Sequence, residues 1–212
     1  MEKWGFVDKT GRKVIPWSYG DAWSFSEGLA RVELNEKCGF IDKTGKVVIP
    51  CIYDNAWSFS KGLVKVNLNG QYGFIDETGK EVIPCIYDYV ESFSEGLAWI
   101  KKLNGKRGFV DKTGKVVIPI IYDKAWSFSE GLARVELNEK CGFIDKTGKG
   151  VIPIIYDNAS SFSKGLAAVK LNGKYGYIDK TGREVIPCIY DKVAWLRFRG
   201  LAKLTQTELE FY

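Results

Sequence analysis

The chain has 212 residues, 45% hydrophobic and 27% charged, with a net charge of +5 from 31 basic and 26 acidic side chains. That balance excludes a disordered polymer, and no apolar run approaches the ~18 residues of a membrane-spanning helix. The complete absence of histidine removes Ser-His and Cys-His triads, His-ligated metal sites and the usual acid–base group near neutral pH.

From Trp4 the chain settles into a repeat. Gly-Phe-Ile/Val-Asp-x-Thr-Gly recurs at Gly5, Gly39, Gly73, Gly108 and Gly142, and at Gly176 with Tyr177 for Phe. All six prolines keep the same spacing, each behind Val-Ile. A period of about 34 residues marks a stack or ring of supersecondary units. A residue that recurs in every unit is expected to be architecture, because an active site is built once. The repeats are read as 4–37, 38–71, 72–106, 107–140, 141–174 and 175–212, one continuous array over 1–212. Met1-Glu2-Lys3-Trp4 holds no hydrophobic stretch, so a cytoplasmic protein, or a piece of a longer one, is expected.

The second copy is representative. Cys38-Gly39-Phe40-Ile41-Asp42 predicts a strand, and Lys43-Thr44-Gly45 a tight turn with a G1-type bulge. Lys46-Val47-Val48-Ile49-Pro50 returns as a second strand, with Pro50 at the end of pairing or on an edge. Asn55 to Gly62 reads as an ordered loop with room for one helical turn. Leu63 to Leu68 is the third strand, and in its counterpart Ala30, Val32 and Leu34 are expected to face in while Arg31 and Glu33 face out. Asn69-Gly70 then makes a type I′ hairpin into the next repeat. The extra residue at Lys101-Lys102-Leu103 is expected to form a bulge at that hairpin.

Residues 22–46 reappear unchanged as 125–149, three repeats later. A three-repeat block has been duplicated with no divergence in that stretch. At the far end Trp195-Leu196-Arg197-Phe198-Arg199-Gly200 replaces the usual loop, and a degenerate capping unit is expected there.

Trp4-Gly5-Phe6-Val7-Asp8, Thr10-Gly11, Val14-Ile15-Pro16, Tyr53-Asp54, Phe59-Ser60 and Gly62-Leu63 resemble the bacterial WG repeat, also called the KWG repeat. The name-giving Trp appears only as Trp4; Cys38, Tyr72, Arg107, Cys141 and Tyr175 hold its place later. The resemblance implies tandem β-rich arrays in bacterial proteins, with no shared catalytic activity.

The residues that could carry chemistry have bland readings too. Asp8-Lys9-Thr10-Gly11 is similar to the phosphorylated loop of P-type ATPases, but six copies of a nucleophile make no sense and six hairpin turns do. The twelve regularly placed acids, such as Asp42 and Asp54, are too sparse for calcium loops and read as turn caps. The cysteines, at Cys38, Cys51, Cys85, Cys141 and Cys188, stand in for packing residues and fit reduced thiols. Phe25, Phe59, Phe93, Phe128 and Phe162 are expected in the core. Trp23, Trp57, Trp126 and Trp195 are the candidate binding residues, since Glu91 and Ser160 replace Trp in two copies and the position must tolerate solvent.

The resulting expectation is an all-β chain of six tandem three-stranded antiparallel repeats. They would form an open superhelical, solenoid-like array, with a closed six-bladed propeller as the alternative. The expected function is a non-enzymatic binding or scaffolding module for a protein or peptide partner. A carbohydrate or cell-envelope binder using the Trp residues is the second reading, and a small-ligand binder the third, should the array close around a channel. No metal, cofactor, nucleic-acid or membrane role is expected.

Overall fold

Every turn that the repeat motif encodes is a hairpin in the computed structural model, which describes residues 2–194 and 203–205. Those residues form strands, turns and bends and no helix. The chain divides into two compact units, Met1–Ser92 and Phe93–Tyr212.

In the first unit Trp4–Val7 pairs with Lys13–Tyr19. Two four-stranded antiparallel sheets follow, Asp21–Ala22, Leu29–Leu34, Lys37–Asp42, Val47–Tyr53 and then Asn55–Ala56, Leu63–Leu68, Gln71–Asp76, Glu81–Tyr87. In the second unit Leu97–Lys101, Arg107–Asp111 and Val116–Tyr122 pair in that order. Next come the sheets Lys124–Ala125, Ala133–Leu137, Lys140–Ile144, Gly150–Tyr156 and Asn158–Ala159, Leu166–Leu171, Lys174–Asp179, Glu184–Tyr190, and finally Lys192–Ala194 paired with Lys203–Thr205. Among the described residues no sheet closes on itself.

Each full sheet therefore has four strands, not three. The stretch expected to be a loop is a two-residue strand followed by a tight turn. Asn55–Ala56 pairs with Leu63–Leu68, and Ser60 and Leu63 then exchange both backbone hydrogen bonds around Lys61-Gly62. Lys61 and Gly62 both have positive φ, 56° and 78°, the signature of a type I′ turn. The helical turn allowed for in that segment is absent because a left-handed pair reverses the chain within two residues. Four strands is also the strand count of a propeller blade.

The motif's Asp-x-Thr-Gly turn works through one carboxylate. Asp42 Oδ1 accepts hydrogen bonds from the Thr44 hydroxyl (2.6 Å), the Thr44 amide (2.9 Å) and the Lys46 amide (3.1 Å). Gly45, at φ 87°, completes the G1 bulge. Asp8, Asp76, Asp111, Asp145 and Asp179 repeat the arrangement. The extra residue after Lys101 is absorbed the same way, with Gly105 N bonded to Lys102 O.

The Thr44 hydroxyl, helped by the two amides, holds the Asp42 carboxyl below the ordinary aspartate value, and its counterparts behave alike. A depressed carboxyl contributes stability that is present above the unfolded-state value and is lost as pH falls through the folded one. Thermal midpoints should therefore fall steeply on acidification, roughly between pH 5 and pH 2. The slope should be shallower in Asp42→Asn, whose midpoint at neutral pH is already lower.

The core lies between successive sheets. Phe40 and Phe59 meet edge-to-face at 4.9 Å, as do Phe143 and Phe162 at 4.8 Å. Around the first pair Ile49, Tyr53, Ala56, Val64, Val66 and Ile75 form one buried cluster. Phe59, Phe128 and Phe162 are buried as expected, whereas Phe25 and Phe93 are half-buried. Ala30 and Val32 face in as expected, but Leu34, at the lip of a hairpin, is 40% exposed. Arg31 and Glu33 are half-buried instead of solvated, because the next repeat lies over their face. Lys65 and Asn67, one repeat on, are buried outright.

Polar staples join neighbouring repeats. Ser26 Oγ donates to Phe59 O at 3.0 Å, and Ser129 Oγ to Phe162 O at 2.8 Å. The Glu27 carboxylate accepts both the Lys61 and Gly62 amides, at 2.7 and 2.9 Å. Those two donors hold Glu27 below the ordinary glutamate value.

Candidate functional site

The candidate tryptophans start where each short strand ends. Trp23 N donates to Arg31 O, Trp57 N to Lys65 O and Trp126 N to Arg134 O, so each indole stands cross-strand from a basic residue. The Arg31 guanidinium sits 3.4 Å from the centre of the Trp23 ring, and that of Arg134 3.3 Å from Trp126. Lys65 Nζ lies 4.2 Å from Trp57 and 4.9 Å from Tyr89. Cation–π contact offsets part of the cost of burying these charges. Burial still lowers the pKa of Arg31, Lys65 and Arg134 from their ordinary values.

Each arginine is also tied to the next repeat. Arg31 donates to Ala56 O and Asn55 Oδ1, and Arg134 to Ala159 O and Asn158 Oδ1. Where Glu91 replaces Trp, the pair is displaced by one strand: Trp99 stands under Arg107 at 4.6 Å. Where Ser160 replaces Trp, its hydroxyl accepts the Ala168 amide and Lys170 lies over Tyr175 at 5.2 Å. The ledge is thus kept in kind while its members change from repeat to repeat.

In the second unit the ledge opens into a cleft of ≈ 590 Å³ lined by Lys124, Trp126, Arg134, Glu136, Glu139, Asp157 and Asn158. Lys124 pairs with Glu136 at 2.8 Å, and Lys140 with Asp157 at 2.6 Å. Asp157 also accepts the Gly173 amide from the hairpin ahead. Glu139 carries an unusual backbone. Asn138-Glu139 is a type I′ turn with φ 50° and 61°, whereas the hairpins at Asn69-Gly70 and Asn172-Gly173 put glycine second. A left-handed conformation costs a residue with a Cβ about 1 kcal/mol. Glu139→Gly should therefore leave the fold intact and raise stability by up to about 1 kcal/mol, read as a higher urea midpoint at unchanged slope.

The same WG-containing repeat model matches residues 4–38, 39–72, 72–106, 108–141, 142–175 and 175–199. The chain belongs to the WG repeat family. No curated protein matches it. Among solved structures, a eukaryotic initiation factor aligns at a TM-score of 0.50 and 12% identity over 86% of this chain and 58% of that one. The computationally designed Ika8 protein aligns at 0.43 and 13%, over 83% and 64%. The WD40 propeller domain of Doa1 aligns at 0.35 and 13%, over 79% and 67%. The WG chain spans less than two thirds of the length of the first two.

Within this WG array the recurrent motif residues are consumed by architecture. The motif glycine has no room for a side chain: a Cβ on Gly39 would lie 2.6 Å from Ile49 O. The first acid of each repeat caps its own turn. In four repeats the second acid pairs with a lysine 17 residues upstream, Lys37 with Asp54, Lys106 with Asp123, Lys140 with Asp157 and Lys174 with Asp191. Among the described residues no cluster of three metal-ligating side chains occurs. Burial pushes the Cys85 and Cys188 thiols up to about 11, so both stay protonated near neutral pH.

Of the candidate tryptophans, Trp57 is 37% exposed, Trp23 and Trp126 are half-buried under their arginines, and Trp195 lies outside the described residues. The expected capping end, beyond Ala194, also lies largely outside them. Each described tryptophan belongs to its own repeat's ledge.

Proposed function

We propose that this WG array is a non-enzymatic binding module that presents its cation–aromatic ledges to a protein or peptide partner. The observation that carries the reading is the division of labour within each repeat. Turn acids, glycines, prolines and core phenylalanines stay constant and hold the hairpins, while ledge positions vary between Trp, Glu, Ser, Arg, Lys and Ala. Variation at a fixed, partly exposed place on a rigid scaffold is how repeat proteins set partner specificity. Aromatic residues beside arginine are also the commonest interface anchors. The reading includes no catalytic turnover, and it places the module in the cytoplasm, in keeping with thiols at packing positions.

The glycan reading is weaker. A sugar needs a free indole face, and on Trp23 and Trp126 one face is already taken by a guanidinium at van der Waals distance.

The test is a tryptophan-fluorescence titration of the whole chain against two panels, random-sequence soluble peptides and oligosaccharides. Saturable shifts with a subset of peptides, lost in Trp57→Ala, are expected. Shifts with oligosaccharides and none with peptides would overturn the proposal.

A further inference from the structure

A full sheet runs from a two-residue strand to a proline-bearing strand, as in Asp21–Ala22, Leu29–Leu34, Lys37–Asp42 and Val47–Tyr53. The first and last sheets hold two strands each. Trp4–Val7 and Lys13–Tyr19 match the last two strands of the full set, and Lys192–Ala194 and Lys203–Thr205 match the first two. Register fixes the second match. Lys192 pairs with Thr205 and Val193 with Leu204, as Asp21 does with Glu33 and Ala22 with Val32. Among the described residues Trp4–Val7 is paired on one side only, and so is Lys203–Thr205.

We infer that the outer edge of Trp4–Val7 accepts the Lys203–Thr205 strand of a second copy of this chain, two half sheets completing one four-stranded sheet. Each copy has one accepting and one donating end, so association is head-to-tail. Trp23, Trp57 and Trp126 take no part, and the contact stands apart from the peptide-binding reading.

Three observations carry it. The first is an unmet apolar face. Val7 is 52% exposed, whereas Ile41, Ile75, Val110, Ile144 and Ile178, at its place in later repeats, are at most 2% exposed. Ile41 is buried with Ile15 and Tyr19 of the repeat before it, and Ile178 with Ile152 and Tyr156. The second is the complement of the first. Ile186 and Tyr190 hold the places of Ile152 and Tyr156 in the last full sheet, and they are only half-buried. A second copy brings its Val7 to that pair and repeats the junction found between successive repeats. The third is the edge itself. Sheet edges are normally blunted by proline, charge, bulges or brevity. The outer strands of the full sheets carry a proline and a bulge, as at Pro50, or last two residues, as at Asn55–Ala56. Trp4-Gly5-Phe6-Val7 has neither proline nor charge. In the register of Leu29–Leu34 on Lys37–Asp42, Lys203 falls opposite Phe6, Leu204 opposite Gly5 and Thr205 opposite Trp4. A strand added there gains main-chain hydrogen bonds while the apolar face beside it is covered.

The experiment follows the molar mass of the full chain by light scattering as concentration rises. The mass of the parent should climb in multiples of the monomer. Val7→Lys and Ile186→Lys should each weaken association by about a hundredfold or more, since each would bury an unpaired ammonium. Val7 is exposed and Ile186 half-buried, so the urea midpoint of each dilute variant should stay close to that of the dilute parent. Each variant keeps one working end, so an equimolar mixture of the two should form a dimer and stop there. Amide exchange at Trp4–Val7 should slow as the parent associates. A parent that is monomeric at every concentration, association indifferent to both substitutions, or a mixture that stays monomeric where the parent associates would overturn the inference. Slow exchange at Trp4–Val7 in a monomer would give that edge to another segment of the same chain, and would overturn it as well.

Discussion

Phe143→Ala should destabilise the second unit by about 3–5 kcal/mol. The ring is 1% exposed and shares a buried cluster with Cys141, Ile152, Tyr156, Ala159, Phe162, Ala167, Val169 and Ile178. Truncation removes the transfer term for a whole aromatic ring and leaves a cavity that rigid strands on both sides cannot collapse to fill. The edge-to-face pairing with Phe162 is lost as well, about 0.5–1.5 kcal/mol beyond area alone. Phe25→Ala should cost clearly less, since that ring is half-buried and meets Phe6 at 5.0 Å in a tilted contact.

Repeat architecture makes a further demand on the same variant. In repeat proteins each unit is stabilised chiefly by its nearest neighbours, so the damage should be local. Amide hydrogen exchange should quicken in Ala133–Leu137 through Leu166–Leu171 and stay unchanged in Leu29–Leu34. A uniform loss of protection along the chain would mean that the units unfold as one cooperative body, and the nearest-neighbour description would fail.

The fold was legible because its rules act over short range. A carboxylate two residues before Thr and three before Gly, with strand residues on either side, can do little except close a hairpin. Six copies of that turn, each followed by Val-Ile-Pro, set the strand order. The fourth strand escaped notice because two residues, Asn55–Ala56, show no alternation at all, and its turn is encoded by a lone glycine behind Lys61 or Glu27. The half-burial of Arg31 and Glu33 was hidden for a different reason. Alternation reports which residues differ in polarity, and it cannot report that a neighbouring repeat covers the polar face.

The ledge was half legible. The tryptophans were found by recurrence, and their partners could have been found by covariation inside the chain. Eight residues after Trp23, Trp57 and Trp126 stand Arg31, Lys65 and Arg134, whereas Glu91 is followed by Trp99 and Ser160 by Ala168. A base appears only where there is an indole for it to stack on. That signal needs no alignment, because the repeats supply one. Glu36 and Glu139 were visible as departures from Asn-Gly, but only their φ angles show that the departure is strained.

Gly142→Ala should cost about 3 kcal/mol or more, although it adds a single methyl group. Gly142 sits where one residue faces a bulge: Cys141 pairs with Tyr156 and Phe143 with Ile152, so three residues of the outer strand crowd against one position. A Cβ there would meet Ile152 O and Pro153 O at 2.7 Å and Ile154 Cα at 2.8 Å. All three are backbone atoms, so no side chain can rotate away; the proline-containing strand itself must shift. That shift would drag Ile152 out of the buried cluster and reproduce part of the Phe143 defect from the opposite side of the hairpin. Gly150→Val is the control. A Cβ at Gly150 meets nothing within 4 Å, and the matching residue in the first unit's copy is Val47, so this variant should be neutral or stabilising by about 0.5–1 kcal/mol. Urea midpoints of the two variants should move in opposite directions. A Gly142→Ala midpoint indistinguishable from the parent would show that the bulge yields, and the motif's glycine would then need an explanation other than close approach of two backbones.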